Sequence, residues 1–183
     1  MSTLERYRNY LRMLASVETS ERFQGKVDLS GVVQETMVDA LREEARLQGL
    51  PEHCRVSWLR TTLANNLRDE IRKWTAEARD VGRERSIEAA LNDSASRIEA
   101  WLEADHSSPS QRAERNESLL RLADALARLS EDQRRVVELH HLAGHPISET
   151  AAAMGRSKDA VGGLLFRGLK RLKELMDEPS HAT

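Results

Sequence analysis

Apolar residues recur at helical spacing along most of the chain, and two stripes stand out in its first half. The first stripe consists of Val32, Val33, Thr36, Met37, Ala40 and Leu41. The second recurs at a strict four-residue spacing, at Leu59, Leu63, Leu67 and Ile71. Positions four apart share one face of an α-helix, so each stripe predicts an amphipathic helix with a buried side. No segment alternates convincingly at period two, so we expect no strands.

The second half of the chain carries clear start and stop signals for helices. Ser130 followed by Gln133 fits a capping box, which predicts a helix that continues through Leu142 and ends at Gly144. An apolar stripe at helical spacing predicts another helix just before it. This part of the chain is therefore predicted to be a small helical domain.

The signals after Gly144 predict a helix-turn-helix. Ser148 can cap a short helix through Met154, and Gly155 can end it because glycine enters the left-handed region at little cost. Ser157 then caps a longer helix that reaches about Met176. A short helix, a turn containing glycine and a longer basic helix are typical of this DNA-binding motif.

The last helix is predicted to have an apolar face, which includes Leu164 and Leu169, and an opposite basic face. Residues 156–173 contain six basic side chains and one acidic side chain. The candidate DNA-contacting residues of this helix and its turn are Arg156, Ser157, Lys158, Gly163, Phe166, Arg167, Lys170 and Arg171. A major groove admits such a helix, whose Arg and Lys side chains bind guanine edges or phosphates. The alternative is a three-helix bundle with a solvated basic face.

The helix with the strict leucine spacing also has a polar face. Opposite the leucines lie Thr61, Asn65, Arg68, Asp69 and Arg72. An asparagine can pair with a base edge, while an arginine suits a phosphate or an unpaired base. The alternative is again a solvated face with ion pairs. Trp58 and Trp74 are predicted to lie in the core.

Composition limits the classes of protein that fit. The 183 residues carry 28 basic and 30 acidic side chains, for a net charge of −2. That balance argues against strong nucleic-acid binding by the free chain. No apolar run is long enough to cross a membrane, and the N-terminal residues do not resemble a secretory signal. The lone Cys54 suits a reducing compartment, so we expect a cytoplasmic protein.

Three segments of the chain together resemble a known family. They are DLSGVVQETMVDALR, WLRTTLANNLRDEIRKW and LARLSEDQRRVVELHHLAGHPISETAAAMGRSKDAV. In this order and spacing they resemble the bacterial RNA polymerase sigma factors of the sigma-70 family. The match is to the extracytoplasmic-function (ECF) type, which has only domains two and four, and it covers residues 5–80 and 115–175. The resemblance implies an all-α protein with domain two at 1–80, an acidic linker at 81–117 and domain four at 118–178.

The resemblance also implies a function and a set of contacts. Domain two would dock on the clamp of core RNA polymerase through Gln34, Glu35, Asp39 and Arg42. It would bind the −10 element, as melted non-template strand, through Thr61, Asn65, Arg68, Asp69, Arg72 and Lys73. Domain four would sit on the polymerase flap and place its last helix on the −35 duplex. The linker would lie in a basic polymerase channel, and an anti-sigma factor is a further partner that the family suggests.

Some positions depart from the family pattern. Gly31 stands where the family often has an acidic residue, and Leu164 and Leu169 stand where its last helix usually has arginine. Residues 48–57, which we expect to form a loop, contain no Phe, Tyr or Trp to stack on a flipped base. The residue that captures the −10 base is therefore open, and so is the promoter sequence.

Three alternatives come from other classes of protein. A stand-alone helix-turn-helix regulator would bind duplex DNA without polymerase. A metalloenzyme would use His140, His141 and His145 with Glu138, although Gly144 interrupts the helix between the histidines. A structural adaptor would make no use of the basic face. No phosphate loop, paired catalytic carboxylates or Ser-His-Asp arrangement is present, so we predict neither an enzyme nor a bound cofactor or metal.

Overall fold

The computed structural model describes residues 4–19, 27–74 and 112–178, and within these ranges it contains helices and turns but no strand. The helices are α1 (Arg8–Thr19), α2 (Leu29–Arg42), α3 (Glu44–Gln48), α4 (Glu52–Trp74), α5 (Arg112–Ala127), α6 (Glu131–Val137), α7 (Ile147–Met154) and α8 (Lys158–Asp177). The predicted all-α fold is confirmed for these residues. Most of the predicted linker and the side chain of Trp74 lie outside them. None of the described helices is both long and apolar enough to cross a membrane.

The chain forms two compact units, residues 1–120 and 121–183. In the first unit, α2 packs against α1 and α4, and α1 packs against α4. The whole Leu59–Ile71 stripe is buried, as predicted, and so are five of the six residues in the α2 stripe. Leu41 was wrongly predicted to be buried, because 49% of its surface is exposed at the end of α2.

Helix α1 contributes a large part of the core of the first unit. Tyr10, Leu11 and Leu14 of α1 are almost completely buried, and so is Tyr7 in the 3₁₀ turn Glu5–Tyr7 just before it, although the sequence pattern had not singled them out. Thr36 is buried on α2 without an energetic penalty, because its hydroxyl donates a hydrogen bond to the Val32 carbonyl at 2.8 Å. The first unit is therefore a three-helix core to which the short α3 is added.

The segment before Trp58 is mostly helical, which corrects the expected loop at residues 48–57. Helix α4 begins directly after Pro51, at Glu52. The Arg55 guanidinium donates to the carbonyls of Leu47 and Leu50, at 3.0 Å each. These bonds satisfy carbonyl groups at the end of α3 and tie them to the first turn of α4. Trp58 is only half-buried, not a full core residue as predicted.

In the second unit the predicted cap of α6 is confirmed. The Ser130 hydroxyl accepts a hydrogen bond from the Gln133 amide at 3.4 Å. The helix then continues as a π-helical segment, Glu138–Leu142, and ends before Gly144, whose φ of 82° is in the left-handed region. The buried Glu138 lies 3.6 Å from Arg134 one turn earlier, so its charge is paired.

The helix-turn-helix is formed by α7, the turn at residues 155–157 and α8. Gly155 has φ of 60°, and Ser157 accepts from the Ala160 amide at 3.2 Å, so both predicted signals are confirmed. The prediction that Ser148 caps α7 was wrong. Pro146 occupies the N-cap position, two residues before Ser148, and the helix begins at Ile147. The Thr150 hydroxyl donates a hydrogen bond to the Pro146 carbonyl oxygen at 3.1 Å.

Helix α8 packs against α6 and α7 through a narrow face. Its buried residues are Val161, Gly168, Leu172 and Leu175. A β-carbon at Gly168 would lie in van der Waals contact, at 3.4 Å, with the Gln133 carbonyl oxygen and a Val137 methyl, so α8 packs closely on α6 here. Leu164 and Leu169 were predicted to face the core, but both are only half-buried because they flank the contact with α6.

Candidate nucleic-acid interface

Helix α4 exposes a single line of polar side chains. We name this line the α4 stripe, and it consists of His53, Ser57, Thr61, Asn65, Asp69, Arg72 and Lys73. Every other residue of α4 whose side chain the structure describes is buried or half-buried. Of the predicted −10 residues, Arg68 alone is half-buried and lies beside the stripe. Any ligand that approaches α4 from solvent therefore meets this line first.

The cations along the α4 stripe are paired with side chains three residues earlier. Arg68 donates to the Asn65 side-chain oxygen at 2.8 Å, and Arg72 donates to Asp69 at 3.2 Å. Lys73 donates to Glu70 at 2.7 Å, and this hydrogen bond raises the pKa of Lys73. Exposed pairs of this kind are weak, so a phosphate can compete for these cations. The stripe thus presents paired cations to solvent.

The predicted docking residues lie on α2. Gln34, Glu35 and Arg42 are exposed, whereas Asp39 is half-buried. Asp39 accepts one hydrogen bond from Arg42 at 3.1 Å and another from Asn66 of α4, also at 3.1 Å. Asp39 therefore ties α2 to α4, a structural role that the sequence pattern did not reveal.

Two apolar residues accompany the docking residues on α2. Val38 is 43% exposed and Leu41 is 49% exposed, and they follow Gln34 at helical spacings of four and seven. Side chains at these positions share one face of the helix with Gln34. We name Gln34, Glu35, Val38, Leu41 and Arg42 the α2 face. Val38 and Leu41 give this face a small apolar centre among charged residues.

Gly31 has a local reason that accounts for its departure from the family pattern. Asp28 caps α2, and its carboxylate accepts from the Gly31 amide at 3.0 Å. A β-carbon at residue 31 would lie 2.6 Å from the other oxygen of this carboxylate. A side chain there would require the Asp28 carboxylate to shift, so glycine leaves room for the cap.

The predicted DNA-contacting residues of α8 and its turn are brought together on one surface. All are exposed except Gly163, which is half-buried. Phe166 is 73% exposed, the highest value among the large apolar side chains that the structure describes. Arg171 pairs with Glu174 at 3.0 Å, whereas Lys158, Arg167 and Lys170 form no ion pair with any residue in the described ranges. We name this set the α8 face.

Two glycines shape the α8 face. A β-carbon at Gly162 would meet no atom within 4 Å, so the space beside it is open. A β-carbon at Gly163 would lie 3.3 Å from the Arg167 guanidinium, which folds back over the glycine. Each glycine costs the helix about 1 kcal/mol relative to alanine, and no packing within the unit explains this cost at Gly162.

Arg156 has an internal partner in addition to its predicted role on DNA. Its guanidinium lies 2.6 Å from the Asp132 carboxylate in the first turn of α6. Its backbone amide donates to the Ala151 carbonyl at 3.0 Å, which is typical of the end of a helix such as α7. Arg156 thus joins the turn before α8 to the start of α6.

The histidines proposed for a metalloenzyme serve the local structure. His140 Nδ1 lies 2.7 Å from the His145 carbonyl oxygen, and His145 pairs with Glu149 at 3.5 Å. Burial lowers the pKa of His141, and the neighbouring His140 lowers it further. Within the described residues no group of three or more His, Cys, Asp or Glu side chains is arranged to hold a metal ion.

Comparisons with known proteins match the segment that contains the helix-turn-helix, and some of them also match other parts of the chain. Residues 119–172 match the protein family described as "Sigma-70, region 4". The chain is 29% identical over 147 residues to the RNA polymerase sigma factor CarQ of Myxococcus xanthus. This alignment covers 80% of this chain and 74% of that protein. The solved structure of CnrH in complex with the cytosolic domain of CnrY aligns with 97% of this chain and 86% of that chain, at 24% identity and a TM-score of 0.37.

Proposed function

The chain belongs to the sigma-70 family, as an RNA polymerase sigma factor of the ECF type, and we propose how its exposed faces divide the work of promoter recognition. Proteins of this family act in transcription initiation together with core RNA polymerase and promoter DNA. The observation that carries the proposal is the presence of two separate polar faces, the α4 stripe and the α8 face, on two compact units.

The α8 face binds duplex DNA at the −35 element. Three of its cations, Lys158, Arg167 and Lys170, form no ion pair within the part of the chain that the structure describes, and they suit phosphate oxygens and guanine edges in the major groove. Phe166 projects from the middle of this face and suits a thymine methyl group. The open space beside Gly162 lets the helix backbone approach the groove closely. These features favour duplex recognition over a merely solvated surface.

The α4 stripe binds the melted non-template strand of the −10 element. Asn65 can exchange hydrogen bonds with a base edge, and Arg72 can bind a phosphate or stack on an unpaired base. Arg72 and Lys73 pair with Asp69 and Glu70 in the free chain, so a bound phosphate has to replace these carboxylates. Binding of the single strand to the α4 stripe then stabilises the open promoter, because only a melted promoter presents a single strand.

The α2 face docks on core RNA polymerase, at the clamp. Val38 and Leu41 supply the apolar centre of the contact, and Gln34, Glu35 and Arg42 supply a polar rim. Asp39 supports the face from behind through Asn66, so its contribution to docking is indirect. A flap contact for the second unit, a channel site for the linker and an anti-sigma partner stay predictions of the family resemblance.

A transcription experiment tests the proposal. Core RNA polymerase is incubated with a genomic DNA library, with and without the chain, and transcript start sites are mapped. We expect the chain to bind core polymerase and to add start sites that share −10 and −35 elements. A chain that adds no start site and is not retained by polymerase would contradict the proposal. Tight, specific binding to duplex DNA without polymerase would instead favour the stand-alone regulator.

A further inference from the structure

Gly162 and Gly163 are neighbours in α8, but their surroundings differ. A β-carbon at Gly162 would meet no atom within 4 Å. A β-carbon at Gly163 would lie 3.3 Å from one terminal nitrogen of Arg167, 3.8 Å from the other and 3.9 Å from the guanidinium carbon. The guanidinium of Arg167 therefore lies over Gly163, in the space that a side chain at residue 163 would fill.

This contact follows from the geometry of a helix. Side chains on a helix lean towards its N-terminus, so a long side chain covers the residue four positions earlier. Arg167 stands in that relation to Gly163. The separation of 3.3 Å is shorter than ordinary van der Waals contact, so a larger residue at position 163 would push the guanidinium outward.

The contact places the guanidinium at the centre of the α8 face. Gly163 precedes the buried Leu172 by nine residues, about two and a half helical turns, so the two positions lie on opposite sides of α8. The α-carbon of Arg167 lies about 40° to one side of that centre and about 6 Å further along the helix axis. By folding back over Gly163, Arg167 brings its guanidinium to the centre line and towards the N-terminal part of α8. In a helix-turn-helix, that part of the second helix contacts base edges.

We propose that Gly163 is a positioning residue, which holds the Arg167 guanidinium where it binds a guanine of the −35 duplex. This inference rests on the proposed function of the α8 face and deepens it by naming a base and the residue that sets the preference for it. An arginine binds guanine through two parallel N–H bonds, to O6 and N7, and such a bidentate contact tolerates only a narrow range of geometries.

The guanidinium of Arg167 is ordered without being held by a carboxylate of the described residues. Arg171, one turn later, pairs with Glu174 at 3.0 Å, whereas Arg167 forms no ion pair within the described ranges. Its N–H groups can therefore turn to a base without first leaving such a partner. An arginine that already lies against the helix also loses less side-chain entropy on binding than one that extends into solvent.

The test measures base preference. Holoenzyme, made from core polymerase and the full chain, is titrated with the −35 duplex of a promoter found by start-site mapping. It is also titrated with duplexes in which each G·C pair is replaced in turn by A·T. We expect one such replacement to weaken binding by the wild type about 5- to 100-fold, as for a bidentate arginine contact. Arg167→Ala should bind these two duplexes equally.

Gly163→Ala should lower the preference for that G·C pair about threefold or more, because bidentate bonds are sensitive to small displacements. The added β-carbon requires the guanidinium to move by a few tenths of an ångström. The double variant, Gly163→Ala with Arg167→Ala, should bind as Arg167→Ala does, since Gly163 acts through Arg167.

Gly162→Ala is the matched control, because it makes the same substitution one residue away without touching Arg167. Both alanine variants should raise the melting temperature of the second unit by about 4–8 °C, since alanine favours a helix over glycine. Gly162→Ala should keep the wild-type preference for the G·C pair. A lower melting temperature in Gly163→Ala would contradict the inference, because its β-carbon would then meet more than a flexible side chain.

Three further results would overturn the inference. Gly163→Ala could keep the full preference, or no G·C pair of the duplex could depend on Arg167. Gly163→Ala could also weaken binding further in the Arg167→Ala background, which would mean that the glycine makes room for DNA and does not act through the arginine. Arg167→Glu with Lys170→Glu separates this inference from the proposed function. If that variant loses duplex binding while Gly163→Ala keeps its preference, only the inference about Gly163 fails.

Discussion

The α4 stripe and the α8 face are both basic, but they hold their cations differently. On α4, Arg72 and Lys73 each pair with a carboxylate one turn earlier. On α8, Lys158, Arg167 and Lys170 form no ion pair with any residue that the structure describes, and Arg171 does. In the proposed function, the α8 face would therefore bind phosphates directly, whereas the α4 stripe would first have to exchange internal partners for DNA.

This difference explains how a chain with net charge −2 can act on DNA. Electrostatic affinity grows with the number of phosphates that a protein neutralises. On the two faces, Lys158, Arg167 and Lys170 are the three Lys and Arg residues without an ion pair in the described ranges, and three cations neutralise few phosphates, so we expect the free chain to bind DNA weakly. Under the proposed function, binding to polymerase would add further contacts and bring the melted strand to α4, where phosphates would replace Asp69 and Glu70. The net charge of −2 therefore does not exclude DNA binding, but we expect that binding to require the polymerase.

The largest expected effect is on duplex binding by the α8 face. Reversing two unpaired cations, in Arg167→Glu with Lys170→Glu, should weaken holoenzyme binding to duplex promoter about 100-fold or more. The reason is that each lost contact costs about 1–3 kcal/mol and the new charges repel phosphates. Gel-shift titration measures the affinity. Arg12→Glu, on the exposed side of α1, is the control and should bind as wild type does.

The second effect separates promoter opening from polymerase docking. Arg72→Glu should lower promoter opening about tenfold, since one strand contact is replaced by repulsion. Retention by core polymerase should stay unchanged, because Arg72 is not part of the α2 face. Permanganate reactivity of melted thymines reports opening, and co-purification reports docking. Equal losses of both would show that the stripe has been assigned to the wrong partner.

A smaller effect tests the internal pairing itself. Asp69→Asn removes the partner of Arg72 and should raise the affinity of the free chain for single-stranded DNA about two- to fivefold, as expected for an exposed pair. The slope of log affinity against log salt should steepen by up to about 0.7. Glu43→Gln breaks an equivalent pair with Arg46 outside the stripe and serves as the control. An unchanged slope in Asp69→Asn would mean that the pairing does not limit binding.

The smallest effect concerns stability and distinguishes the two units by pH. The pKa of His141 is lowered in the folded second unit, so the unfolded chain binds a proton that the folded unit resists. Stability of that unit should therefore fall as pH drops through about 6.5, the ordinary histidine value. His141→Gln should reduce this dependence. Hydrogen exchange of α6 amides, measured at pH 7.5 and 5.5, follows it, with α4 amides as the internal reference.

Local signals in the sequence predicted much of the fold because they act through neighbouring residues. Ser130, Gly155 and Ser157 each work within one turn, and all three have their predicted roles. The four-residue spacing of the α4 leucines was equally reliable, since only one face of α4 packs in the core.

The sequence predictions that were wrong concern residues whose conformation or burial depends on contacts outside their own local pattern. The expected loop before Trp58 is helical because Arg55 binds carbonyls five and eight residues away. Leu41 fits the α2 stripe by spacing, but the other helices do not cover the end of α2. The hydrogen bond from Asn66 to Asp39 was not foreseen either, because it depends on how α2 and α4 pack, and the docking role of Asp39 stays a prediction. None of these contacts has a local sequence pattern.

The central claim is that the two faces bind different forms of promoter DNA. One measurement tests it directly, by titrating holoenzymes with two probes, a −35 duplex and a single-stranded −10 non-template oligonucleotide. We predict that Arg72→Glu weakens binding of the single strand and leaves duplex binding unchanged. Arg167→Glu with Lys170→Glu should do the reverse. If both variants lose the same probe, or neither variant loses either probe, the division of work between α4 and α8 is contradicted.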